Sequence, residues 1–253
     1  MVRKLIKHEL LNTIRIASIP ALIMVLLAII SRITFETSST SVAIILVVFY
    51  FFFMMATLII GFWFGIYSFY QSLFTGTGYL TLSLPVTPDQ LIWSKLLSAI
   101  IVEFASVIIC ILSACIFFIG LPADVLDAIG EAFSVLGDAI SYFASAEPLF
   151  FVEIIILGIL FIPMSFLVFY SVMCIGQLFT VKNRKGIAIL LYVGLVFIWQ
   201  ILYSTAISKI QEAMAEVSIH LMMWIDIVVI AAVDVGCYFL VRYIIKNKVN
   251  LLA

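Results

Sequence analysis

A chain of 253 residues with 66% hydrophobic residues, 11% charged residues and a formal net charge of −1 does not have the make-up of a soluble domain. Soluble domains hold about 45–50% apolar and about 25% charged residues. The excess apolar surface calls for lipid as its solvent, and the near-neutral balance leaves no basic footprint for nucleic acid.

Residues 1–15 read as a helix lying on a membrane surface. Leu5, Ile6, Leu10 and Ile14 share one face, while Arg3, Lys4, Lys7, His8 and Asn12 fall mostly elsewhere. A secretory signal is a poor fit, because Arg15 interrupts the apolar stretch and no small-residue cleavage site appears before Arg32. Six apolar runs follow, at about 16–31, 42–68, 96–120, 149–179, 187–207 and 221–245. A helix needs about 20 such residues to cross a bilayer core, and these runs are far too long for barrel strands. The first run is short, ended by Ser31 and Arg32.

Between the third and fourth runs, residues 121–148 form the longest connection. Val125, Leu126, Ile129, Phe133, Leu136, Ile140 and Phe143 recur at helical spacing, and Asp124, Asp127, Glu131, Asp138 and Glu147 come without any Lys or Arg. One or two amphipathic helices are expected there, and another helical stretch near 208–220. Cys110, Cys115, Cys174 and Cys237 all lie inside apolar runs, without metal-ligand spacing, and read as small hydrophobes.

Of the 13 basic residues, 11 fall on alternate segments. These are Arg3, Lys4, Lys7 and Arg15 at the start, Lys95, the group Lys182, Arg184 and Lys185, and Arg242, Lys246 and Lys248 in the tail. Only Arg32 and Lys209 fall on the other side. The positive-inside rule then predicts a multi-pass protein of the cell membrane with both termini in the cytoplasm. The expected fold is a single all-α transmembrane domain over 1–253, with six transmembrane helices and helical outer loops.

Acids inside membrane spans are costly and are candidates for function. Glu153 and Asp226 are expected near the outer boundary, within reach of water. Glu103 and Asp234 are deeper, and either bond structurally across helices or line a translocation path. No base inside the spans is available to pair with them except Lys95 and Arg242 at the edges. Gly61 and Gly65 form a small-xxx-small pair that allows close helix contact, and Pro163 is expected to kink the fourth span.

The cytoplasmic segment 69–95 is unlike an ordinary connector. Gly76 and Gly78 break the long second helix, a short helix Tyr79–Leu84 follows, and Pro85 stops it. A restart is then written in full. Thr87 is the N-cap, Pro88 takes the first helical position, Asp89 suits the positive helix end, and Gln90 completes a capping box. Lys95 is expected to anchor this helix at the interface. The short piece carries Tyr79, Leu80, Leu82 and Leu84, an apolar element that needs either a partner or packing against its own protein.

The run Gly78-Tyr79-Leu80-Thr81-Leu82-Ser83-Leu84-Pro85-Val86, with Leu91-Ile92-Trp93-Ser94-Lys95-Leu96-Leu97, resembles the loop between the second and third spans of permease subunits of the type-2 family of ABC exporters. The layout is similar too: a surface helix at the start, six spans and both ends inside. The resemblance implies that Tyr79, Leu80, Leu82, Leu84 and Pro85 form a coupling helix that docks on a nucleotide-binding subunit. It also implies two permease chains, as a homodimer or heterodimer, working with two copies of a separate ATPase. This chain has no Gly-rich loop ending in Gly-Lys-Ser or Gly-Lys-Thr, so ATP and Mg would be bound by that partner. The chain itself is expected to be neither an enzyme nor a holder of cofactor or metal.

The function so implied is outward movement of an amphipathic substrate (peptide, drug or lipid) or immunity to a peptide. An ion-coupled carrier or channel using the membrane acids is the alternative; inverted repeats or interrupted helices would favour it. An intramembrane protease fits poorly. No Gly-x-Ser-Gly motif is present, His220 lies at a span entrance, and Asp234 follows Ala232-Val233 rather than the Gly-x-Gly of presenilin-like enzymes.

Overall fold

The computed structural model describes residues 2–37, 40–74, 86–119, 123–178, 184–213 and 219–247. Among the described residues there are seven helices: α1 Val2–Thr37, α2 Thr40–Phe74, α3 Pro88–Phe118, α4 Ala123–Ala146, α5 Pro148–Leu178, α6 Arg184–Ala213 and α7 Ile219–Asn247. Four stretches are long and apolar enough to cross a membrane: Ile45–Phe74, Pro88–Phe118, Pro148–Leu178 and His220–Asn247. The chain is therefore a membrane protein. The apolar stretches of α1 and α6, Ser18–Ser31 and Leu190–Thr205, are shorter.

One boundary differs from expectation. The basic amphipathic stretch and the first apolar run belong to one continuous helix, α1, which passes through Arg15 and Pro20 without a break. Of the one or two helices expected within 121–148, there is one, the 24-residue α4. On α4, Asp127, Glu131 and Asp138 recur along one side, whereas Phe133 and Ile140 fall on another, and all five are exposed. Pro163 sits inside α5 without ending it. The short helix proposed at Tyr79–Leu84, with Pro85, lies outside the described residues.

The helices divide between two compact units. One comprises Met1–Ser68 with Trp93–Tyr142; the other comprises Phe69–Ile92 with Phe143–Ala253. The first unit has a core of Met24, Ala28, Tyr50, Cys110 and Phe117. Tyr50 stacks on Phe117 at 4.7 Å between ring centres, and the Ser113 hydroxyl lies 3.4 Å from the Tyr50 hydroxyl. At Gly61, α2 lies close against side chains of α3. A Cβ added there would stand 3.0 Å from Ser106 Oγ and 3.1 Å from Glu103 Oε2, so the glycine makes room for both polar groups.

In the second unit α5 packs against both α6 and α7. Phe169 of α5 stacks on Tyr192 of α6 at 3.9 Å. Phe69, at the far end of α2, stacks on Tyr170 of α5, also at 3.9 Å. Both Phe69 and Tyr170 are fully buried.

Lipid offers no hydrogen bonds, so several Ser and Thr hydroxyls within the spans return to their own helices. Thr57 donates to the Phe53 carbonyl at 2.8 Å, Ser98 to Lys95 at 2.9 Å, Ser106 to Val102 at 3.0 Å and Ser171 to Val168 at 2.7 Å. The outward faces are apolar instead. Val48, Phe52, Ile159, Phe197 and Val228 are all exposed, as expected of side chains whose solvent is lipid.

Candidate functional site

Two stems flank the segment 75–85 in the chain, and local sequence explains each. The stem before it is the aromatic end of α2, where Phe69 lies flat on Tyr170 and edge-on to Phe74 at 6.2 Å. The stem after it is the start of α3. There Thr87 Oγ1 accepts from the Gln90 amide at 3.3 Å, and the Thr87 amide donates to Gln90 Oε1 at 3.3 Å. The Thr87 carbonyl accepts from the Leu91 amide at 3.1 Å and opens the helical ladder. The capping box read from the sequence is therefore formed, with Pro88 at the one position where a missing N–H costs nothing.

Asp89 does more than complement the helix dipole. Its Oδ1 accepts from the Tyr238 hydroxyl at 2.7 Å and from Arg242 Nε at 2.9 Å. Tyr238 and Arg242 are four residues apart on α7, one turn of the same face. Both stems thus belong to the unit that contains α5 and α7. This arrangement is mechanical: it fixes the first turn of α3 to the last turns of α7 by two directed bonds. Lys95, expected at the interface, is turned inward instead and is 2% exposed.

Because Asp89 and Arg242 are both partly exposed, at 35% and 44%, the ion pair by itself is worth at most about 1 kcal/mol. Asp89→Ala should cost more, about 1–2 kcal/mol, because it removes the Tyr238 bond and the dipole partner as well. Arg242→Ala should cost less. The exchanged pair, Asp89→Arg with Arg242→Asp, should not recover the loss, since arginine in a first turn opposes the dipole. Thermal unfolding of the purified variants measures all three, and full recovery in the exchanged pair would show that only the charge pair matters.

The membrane acids are sorted by their surroundings. Glu153 does not reach water as expected: it is 2% exposed, and its Oε2 lies 2.8 Å from His220 Nδ1. His220 Nε2 lies 2.6 Å from Glu147 Oε2, so one imidazole stands between two carboxylates at the starts of α5 and α7. Asp226 accepts from the Tyr203 hydroxyl of α6 at 2.9 Å. Sequence reasoning missed His220 as a partner, although one signal was present. Glu147, Glu153 and His220 stand at the beginnings of the fourth and sixth apolar runs, which the expected alternation of basic residues would put on one side.

The two deeper acids differ from these. Glu103 Oε2 and Asp234 Oδ1 are buried, and among the described residues neither atom has a hydrogen-bond partner. Glu103 lies beside Gly61 in the first unit, and Asp234 belongs to the second. Gln177 Nε2, which no sequence pattern singled out, is also buried without a partner among the described residues. A buried carboxyl oxygen without a donor in an apolar span costs stability and calls for a role or a protonated state. Comparison with family models, with curated proteins and with solved structures gave no match.

Proposed function

We propose that this chain is the membrane-spanning permease subunit of an ATP-driven exporter of the ABC type-2 kind, moving an amphipathic peptide, drug or lipid outward or conferring immunity to a peptide. In this reading the chain crosses the membrane six times. The apolar stretches of α1 and α6 complete the set, and both termini face the cytoplasm. Residues 79–84 form the coupling helix, and Pro85 ends it. Two such chains join two copies of a separate ATPase that binds ATP and Mg. Glu103 and Asp234 are the candidate residues of the translocation path.

The observation that carries this reading is the anchoring of the two stems. A passive connector needs no fixed ends. Here the connector leaves a buried aromatic stack and re-enters through a capped, doubly bonded helix start. A push on residues 79–84 would pass into α5 through Tyr170 and into α7 through Tyr238 and Arg242. The sequence resemblance at 78–97 supplies the kind of partner that would push.

The functional test is to purify the chain with the ATPase encoded beside its gene and to screen peptides, drugs and lipids for stimulated ATP hydrolysis. No association and no stimulation would remove the reading and favour the ion-coupled carrier. Orientation has its own test. In a background lacking the four native cysteines, Ala128→Cys and Ser208→Cys should react with an impermeant reagent added outside intact cells, and Asn183→Cys should not. Labelling of position 183 from outside would overturn the six-span arrangement.

A further inference from the structure

We propose that Glu147, Glu153 and His220 form a proton-controlled latch that fixes the junction between α4 and α5 to the start of α7. The inference does not depend on what the chain transports. It starts from counting donors. Both ring nitrogens of His220 lie within hydrogen-bond distance of carboxylate oxygens, at 2.6 Å and 2.8 Å. A neutral imidazole has one N–H and one lone pair, so it can donate to only one of them. With one ring nitrogen unprotonated, the other contact would set a nitrogen lone pair against a carboxylate oxygen. The trio is complete only when it carries one further proton, and the imidazolium is the form that donates to both.

The two carboxylates are unequal. Glu153 is buried inside α5, its side chain 3% exposed, and has nowhere to go. Glu147 is 57% exposed and is the residue between the two helices, after Ala146 and before Pro148. Its carbonyl accepts from the Phe150 amide at 3.0 Å, so its backbone begins the turn into α5. When the extra proton leaves, the Glu147 tie is therefore the one that breaks, and the junction into α4 is released. The latch holds at acidic pH and lets go as pH rises.

Other charged groups near this end do not replace the proton. Asp226, further along α7, is engaged by Tyr203 of α6. Lys209 and Glu212 of α6 and Glu216 of the following connection lie outside the residues whose side chains are described.

The test uses the full chain in lipid nanodiscs. Hydrogen exchange over Phe143–Phe150, corrected for its intrinsic pH dependence, is compared between about pH 5 and about pH 9. Protection should be roughly tenfold greater at the acidic end in the wild type. Glu147→Gln should remove the step, because an amide can either donate or accept and no longer requires the extra proton. This position is exposed, so the variant keeps the fold. His220→Gln should remove the step as well. With His8→Asn, isotope-labelled histidine then reports on His220 alone of the two histidines. Both ring nitrogens should carry protons where the junction is protected, and one where it is not. Protection that does not change with pH in the wild type, or a step that survives in Glu147→Gln, would overturn the latch.

Discussion

Leu80→Asp combined with Leu82→Asp is expected to leave the chain inserted in the membrane but to detach it from its proposed ATPase. The segment 79–84 is apolar at Tyr79, Leu80, Leu82 and Leu84, yet it sits in a connection, between glycines and a capped helix start. Burying one side chain of this kind in a partner groove contributes about 1.5–3 kcal/mol. Losing two should weaken docking by a factor of about a hundred or more, since each 1.4 kcal/mol is tenfold. Two aspartates in a lipid-facing span would instead impair insertion. Membrane yield therefore separates the two settings, and co-purification with substrate-stimulated ATP hydrolysis measures the coupling. Normal binding and normal stimulation in the double variant would reduce the segment to a connector and take away the main support for an exporter.

Tyr170→Ala should have the largest effect on stability, and its functional signature should differ. The ring is fully buried and stacked on Phe69 at 3.9 Å. Removing a large buried ring costs roughly 3–5 kcal/mol in soluble cores. The loss here should sit near the low end, about 3 kcal/mol, because lipid rather than water is the ring's alternative solvent and mainly the packing part is forfeited. Tyr170→Phe keeps the stacked ring and should retain most of the stability. If the stems transmit force, Tyr170→Ala should still co-purify with the ATPase while substrate stimulation falls. A variant that keeps both its melting temperature and its stimulation would show that the stack neither supports nor couples this end of α2.

The capping box at Thr87–Gln90 was legible because it is local. Threonine, proline, aspartate and glutamine occupy consecutive roles, and their bonds span three residues. The amphipathic character of 123–146 was legible for a similar reason: charge and apolar residues alternate with the helical period, so the helix advertises its faces. Whether it is one helix or two was left open by that pattern, and the backbone runs through Gly130 and Gly137 as one. The bond from Tyr238 to Asp89 crosses 149 positions, and nothing near either residue announces it.

The sequence by itself determined that the chain is helical and lives in a membrane, because the length and apolarity of a run decide its solvent and lipid forbids an open backbone. It also determined where α3 begins. Tertiary structure decided which polar groups meet. Glu153 went to His220, 67 residues away, rather than to water, and Lys95 turned inward rather than to the interface. The reason lies in the helices themselves. Spans such as α5 are apolar on nearly every side, so no stripe marks the face that will be buried. Which acid finds which partner then depends on the rotation and offset of each helix against its neighbours, which only the packing sets.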